Sequence, residues 1–286
     1  MTIVEVLKLS ADYLARHGSD SARLDAELLL AHILQVRRLD LYLKFDRTLG
    51  EAELSAYRSL IAKRGKGEPV AYLVGHKEFM GLELEVTPEV LVPNPDTEVL
   101  VQRAVAIARG TDGRLRVADV GTGSGNIAIA IAHYAPNTEV WASDISREAL
   151  DVAARNVARH HLDLRVKVVC GDLLDPLPLE LDLVCANLPY VDSAATLPAE
   201  VTAQPPRALY AGHGGRELVG RLLDEAPARL KPGGTVLAEL DPSIVEAMER
   251  LAAQRYAGHR VHRDLGGHVR VLEAWSSVPT SAEPSA

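Results

Sequence analysis

The stretch Asn187-Leu188-Pro189-Tyr190, which follows the apolar run DLVCA, is the part of this chain best equipped for covalent chemistry. An amide or exocyclic amino nitrogen is a poor nucleophile because its lone pair is delocalised. A catalyst must therefore hold it against the group it attacks, with acceptors aimed at its two hydrogens. Asn187 offers a side-chain oxygen, Leu188 a backbone carbonyl and Tyr190 a flat face for a planar group, while Pro189 completes the turn. In isolation the same tetrapeptide also reads as an Asn-X-Pro turn closing a strand, so its neighbours decide.

Upstream, Val117 to Val120 is a buried-strand run that ends in Gly121-Thr122-Gly123-Ser124-Gly125 and continues into the apolar stretch Ile127 to Ile131. Glycines at a strand-to-helix turn let the backbone approach a ligand closely and leave helix N-terminal amides free for it. The spacing is GxGxG, with Asn126 where a dinucleotide fingerprint has its third glycine, and the next strand, EVWASD, ends in Asp144, placed to accept from ribose hydroxyls. That acid suits NAD and S-adenosyl-L-methionine equally. The glycine spacing favours S-adenosyl-L-methionine, whose sulfonium end needs no pyrophosphate clamp. Asp119, just before the turn, either faces the ligand at the strand's carboxyl edge or caps the turn. The third strand ends in Cys170-Gly171-Asp172, which lets Asp172 accept from an adenine amino group while Leu173 covers a ring face.

These residues need an open α/β sheet to bring them together, and the order of elements supplies one. After a helix from about 97 to 108 the chain alternates strand and helix: RVADV, 125 to 134, EVWASD, 146 to 160, RVKVV, DLVCAN, a long loop, 215 to 230, TVLAEL and 243 to 254. Such alternation means a parallel sheet covered on both faces. Residues 259 to 263 and 268 to 275, about the turn Leu265-Gly266-Gly267, read as a hairpin that adds an antiparallel strand. Residues 1–62 carry apolar residues at helical spacing, such as Leu24, Leu28 and Ala31, with Ser10, Ser21 and Asp40 as expected caps. Residues 63–96 are rich in Gly and Pro, and their short runs VAYLVG and LELEVT alternate like hairpin strands joining the two domains. Residues 97–275 form the α/β domain, and 276–286, mostly Ser, Pro and Ala, are expected to be disordered.

With 286 residues and 47% apolar content the chain can bury a core in each of two domains. The two cysteines, Cys170 and Cys185, are too few for a disulfide framework or a zinc site and are expected to be buried; the adjacent His160 and His161 suit carbonyl ends better than a metal, and none is expected. A net charge of -8 weighs against affinity built on wrapping a phosphate backbone, leaving only a local basic patch at Lys63, Arg64 and Lys66. No stretch is long and uncharged enough to span a bilayer, and no basic leader precedes the first apolar residues, so a cytoplasmic location is expected.

The sequence resembles the HemK-type peptide chain release factor N5-glutamine methyltransferases. The resemblance runs through GEPVAYLVGHKEFMGLELEVTPEVLVPNPDTEVLV, ADVGTGSGNIAIAIA, ASDISREALDVAARNV, GDLLDPL, DLVCANLPYV and LKPGGTVLAEL. It implies a Rossmann-like, seven-stranded methyltransferase domain behind a small helical substrate-recognition domain. It also implies a release factor as protein partner, and as acceptor the glutamine of its Gly-Gly-Gln loop. Carried over by motif, Gly121 to Gly125, Asp144, Asp172 and Asn187 contact the cofactor, and Asn187 to Tyr190 the glutamine amide. Leu188 stands where the family reads Pro, Asn94 and Asp96 stand in its Pro-Arg-Pro-Glu-Thr-Glu loop, Gln204-Pro205 replaces Glu-Pro, and Leu240-Asp241 follows the strand-end acid where Gly is usual. Asn-Leu-Pro-Tyr also resembles the motif of ribosomal RNA adenine dimethyltransferases, so an RNA or DNA amino-methyltransferase is the competing enzyme reading. A cofactor-binding paralogue without catalysis is the competing non-enzyme reading.

Overall fold

The computed structural model describes residues 1–212 and 215–277. The described residues form two compact units, Met1–His76 with Thr196–Gln204, and Lys77–Ala195 with those from Pro205 onward. The expectation for the tail falls, from residue 278, outside the described residues.

The first unit is helical: α1 Ile3–Arg16, α2 Ala22–Leu34, α3 Arg38–Leu43, α4 Glu51–Arg64 and α5 Val70–Val74. Thr2, not Ser10, caps α1, in a capping box with Glu5; Ser10 lies inside the helix. Ser21 occupies the position before α2, but its hydroxyl turns to Asp25 at 2.8 Å, and Asp40 accepts the Arg37 amide at 3.1 Å to open α3. The face α2 buries is Ala26, Leu29 and Leu30, packed on Leu7, Leu14 and Tyr57, whereas Leu24 and Leu28 are exposed. The run VAYLV is a helical turn and not a strand. Pro69 pre-sets its start, and Gly75, at φ +82°, accepts the left-handed conformation that ends it.

Arg64 lies inside this unit and contributes nothing to a basic patch. Its Nε binds Asp25 Oδ2 at 2.7 Å, with both side chains about 5% exposed, and its Nη2 binds Glu200 Oε2 at 2.6 Å on the short helix Ala199–Thr202. Asp25 also accepts from Ser19 and Ser21. Removing the cation leaves a solvent-excluded carboxylate uncompensated, so Arg64→Met should destabilise the protein by about 3–5 kcal/mol. Urea denaturation of the full chain measures it, and a loss below about 1 kcal/mol would mean that the serines alone satisfy Asp25.

From His76 the chain runs through a hairpin, β1 His76–Phe79 and β2 Leu82–Glu85, followed by α6 Glu98–Arg109, β3 Leu115–Val120, α7 Asn126–Tyr134, β4 Thr138–Asp144, α8 Arg147–Arg159, β5 Val166–Cys170 and β6 Leu181–Ala186. The short helix of the first unit is α9. The long loop then contains α10 Pro206–Leu209, and α11 Glu217–Glu225, β7 Leu230–Glu239, α12 Val245–Arg255, β8 Gly258–Arg263 and β9 Val269–Trp275 complete the fold. Helix α11 stops short of 230 because Pro227 turns the chain into a 3-10 segment, Ala226–Ala228.

Seven strands form one sheet in the order β5-β4-β3-β6-β7-β9-β8, with β9 antiparallel between β7 and β8 as the terminal hairpin reading expected. Apolar residues on both faces, among them Val117, Ile127, Ile129 and Val140 on one side and Val120, Val184 and Leu222 on the other, seal it between helices. Cys185 is buried at the sheet centre, but Cys170 is exposed, because it is the last residue of the edge strand β5. The order reverses between β3 and β6, so their following loops diverge and open a crevice at the carboxyl edge, where sheets of this type bind ligands.

Candidate active site

That crevice is a cleft of about 750 Å³, within the size range of small-molecule sites, lined by residues that follow β3, β4, β5 and β6. The turn after β3 is bound to β4, since Gly121 and Thr122 donate to the Ser143 carbonyl at 2.8 and 2.9 Å. Gly121 adopts φ +72°, a left-handed conformation that favours glycine, and a Cβ there would stand 2.9 Å from Leu188 Cδ2, so the turn and the Asn-Leu-Pro-Tyr segment lie close together. Gly123, at φ +52°, has no atom within 4 Å of where a Cβ would be, and its amide donates to Asp144 Oδ2 at 3.0 Å.

Asp144 lines the cleft and also accepts the Ser146 amide at 2.9 Å, which fixes its carboxylate at the rim. Asp172 and Leu173 line the same wall. Asp172 is paired with Arg221 of α11 at 2.8 Å, a partner that the sequence reading did not name. Leu173 has φ +43°, a conformation that costs a non-glycine residue about 1–3 kcal/mol, and its carbonyl accepts the buried Ser143 hydroxyl at 3.2 Å. Thr122, Ser124, Asn187, Leu188 and Pro189 complete the expected set at the cleft, while Gly125, Asp119 and Tyr190 lie outside it.

Gly125 instead opens α7 at φ +84°, against Ile129 and Ala153. Asp119, fully buried, supports the turn from behind. Its Oδ2 accepts from the Thr122 hydroxyl at 2.6 Å and the Ala128 amide at 3.0 Å, and its Oδ1 has no partner. Of the two placements the sequence left open, the structure thus shows the turn cap. Asn156 does similar work on the other side, joining the Ser124 carbonyl to both backbone groups of Glu85, so the hairpin and the glycine turn share one anchor. His160 Nε2 meets the Glu83 carbonyl at 2.9 Å.

At the chemical end, Asn187 Nδ2 donates to the buried Thr97 hydroxyl at 3.0 Å, which turns Oδ1 away as a free acceptor. Among the described residues, no backbone amide donates to the Leu188 carbonyl. Two acceptors are therefore available side by side, as capture of a planar NH2 group requires. Tyr190 is half-buried behind them, with its hydroxyl 3.4 Å from Glu239 Oε1 at the end of β7. The Leu188 side chain is buried in the core next to Gly121, which accounts for an apolar residue at this point of the turn. Asn94 caps the 3-10 turn Pro95–Thr97 by accepting the Asp96 amide, and Asp96 pairs with Arg270 at 2.9 Å.

Comparison with known proteins decides between the enzyme readings. The chain is 41% identical over 284 residues to the release factor glutamine methyltransferase of Rhodopirellula baltica, covering 95% of each chain. The chain belongs to the release factor glutamine methyltransferase family. The family member from Moorella thermoacetica is 38% identical and is covered over 99% of its length. The PrmC N-terminal domain model matches residues 5–75 and the Methyltransferase small domain model residues 95–239. A methyltransferase from Pyrococcus furiosus shares the fold at 20% identity with a TM-score of 0.54, over 71% of this chain and 92% of that one.

In this release factor glutamine methyltransferase family member, burial pushes the Asp119 carboxyl up to about 7, against the pull of Thr122 and Ala128 and with a further push from Asp144. In the unfolded chain the same group ionises near its ordinary value. Between those two pH values the folded state binds the extra proton, so stability falls as pH rises from about 4 to about 7 and levels above it. Asp119→Asn keeps an acceptor for Thr122 and Ala128 and removes the charge. It should therefore reduce the stability lost between pH 5 and pH 8 by roughly 2–4 kcal/mol in urea titrations, and equal losses in both proteins would contradict the assignment.

Proposed function

We propose that the protein transfers a methyl group from S-adenosyl-L-methionine to the side-chain amide nitrogen of a glutamine in a peptide chain release factor, and that it works in the cytoplasm. The observation that carries this reading is the pair of free acceptors at Asn187 and Leu188, opening into a cleft whose other walls suit the cofactor. The cleft fits that cofactor by volume, by the open face of Gly123 and by the Asp144 carboxylate held at its rim. Asp144 would hold the ribose, Leu173 and Asp172 the adenine, and the turn from Gly121 to Ser124 the amino-acid portion. When bound, S-adenosyl-L-methionine supplies an electrophilic methyl group on a sulfonium centre.

The protein's own part is alignment. Asn187 Oδ1 and the Leu188 carbonyl take the two amide hydrogens, rotate the nitrogen lone pair toward the cleft and stabilise the positive charge that grows on nitrogen in the transition state. Because both acceptors are held before the substrate arrives, little reorganisation is left for the reaction itself. Leu188 supplies its carbonyl as well as Pro would, so departure from the family motif at this position leaves the chemistry intact. The buried Arg64 and the acidic net charge weaken the case for a nucleic-acid acceptor. Among the described residues no helix is long and apolar enough to cross a membrane.

The test is incubation with labelled methyl donor and a cell extract, followed by protease or nuclease. Label that survives nuclease and is released by protease supports the reading; label lost only to nuclease would replace it with an RNA or DNA acceptor.

A further inference from the structure

Asp172 can read an adenine amino group only if its carboxylate faces the cleft before the cofactor arrives, and Arg221 is so placed that it can hold it there. We infer that Arg221 is a positioning residue for cofactor specificity: it pins one oxygen of Asp172, leaves the other to accept from the adenine amino group, and so selects a 6-amino purine. The inference rests on the adenine reading of Asp172 given above.

The backbone on either side of Asp172 is fixed. The Gly171 amide donates to the Asp144 carbonyl at 3.0 Å, and the Asp175 amide donates to the Asp172 carbonyl at 3.0 Å. The next residue, Leu173, is kept at φ +43° with its carbonyl accepting the Ser143 hydroxyl. These bonds set where the Asp172 side chain starts, but its carboxylate can still turn about two single bonds. Arg221 removes that freedom, because its Nη2 donates to Oδ2 at 2.8 Å. Oδ1 is then left for a ligand. An ionised carboxylate only accepts, so it favours a base that presents N–H at this point and rejects one that presents a carbonyl oxygen.

Stability does not account for the pair. Its side chains are 47% and 42% exposed, and ion pairs so open to solvent contribute little to a fold. The placement of Arg221 suits the cleft instead. Helix α11 buries Val219, Leu222 and Leu223, and turns Leu218 and Arg221, one helical turn apart, to the cleft that both line. A turn further on, Glu225 Oε1 lies 3.5 Å from the same Nη2 and steadies the guanidinium from its other side. A carboxylate oriented in advance spares the ligand the cost of ordering it.

The test is calorimetry on the full-length protein with two ligands, S-adenosylhomocysteine and its 6-deamino analogue, in which hydrogen replaces the adenine amino group. Wild type is expected to bind the analogue about tenfold more weakly, the loss of one hydrogen bond to a charged acceptor. Arg221→Met should weaken S-adenosylhomocysteine about five- to tenfold and leave the analogue within about twofold of wild type, so that the preference nearly disappears. Arg221→Lys, which keeps a cationic donor, should restore part of it. Asp172→Ala should lose the same preference, and adding Arg221→Met to it should change neither affinity further. Equal weakening of both ligands by Arg221→Met would show a merely structural role and overturn the inference. A full preference retained in Arg221→Met would also overturn it, while the adenine reading of Asp172 stands. A wild type that binds both ligands equally would remove Asp172 from the adenine and overturn the reading and the inference together.

Discussion

Asn187→Ala is expected to lower kcat for methyl transfer by about 100-fold or more, roughly 3 kcal/mol of barrier, while the fold and cofactor affinity survive. The size follows from what the side chain does. Its Oδ1 is a preorganised acceptor for a hydrogen on a nitrogen that becomes cationic, so its value is greatest in the transition state. Its Nδ2 makes one hydrogen bond, to Thr97, and leaving that hydroxyl short of a donor costs only about 1 kcal/mol of stability. Rate and stability should therefore separate. Steady-state kinetics beside thermal denaturation checks it, and a variant retaining more than about a tenth of wild-type kcat would reduce the motif to a structural turn.

Asp144→Ala should weaken S-adenosyl-L-methionine binding by about 1.5–3 kcal/mol, or roughly 10- to 150-fold in Kd. Two losses combine. The charged acceptor at the rim disappears, and the Gly123 and Ser146 amides it holds at 3.0 and 2.9 Å are released, loosening the turn itself. Asp144→Asn keeps one acceptor oxygen and should fall between alanine and wild type. Calorimetry with S-adenosyl-L-methionine and with S-adenosylhomocysteine measures both, and equal affinity in wild type and Asp144→Ala would remove this residue from the cofactor site.

How much of this was legible in the sequence depended on the range of the interactions involved. The strands and helices from residue 97 onward follow local apolar period and glycine punctuation, so the sheet and the switch between β3 and β6 could be read directly. Asp144, Asp172 and Asn187 were legible because strand ends are a topological address. The glycine turn showed itself, but not the role of Asp119, since facing a ligand and capping a turn use the same position and differ only in side-chain direction. Thr97, Asn156, Arg221 and Glu239 act across 90, 71, 49 and 49 residues of chain, and no local pattern marks such pairings. Glu239 did carry a signal, as one more acid at a strand's carboxyl end. VAYLV misled because five residues are too few to separate the two periods, and Pro69 and Gly75 at its ends were the better guide.

The most direct measurement is fragmentation mass spectrometry of a purified release factor after incubation with this protein and S-adenosyl-L-methionine, alongside the Asn187→Ala variant. The account predicts one added methyl group on the side-chain nitrogen of the Gly-Gly-Gln glutamine with wild type, and almost none with the variant. Methyl groups on another residue, or an unmodified release factor beside methylated RNA, would contradict it.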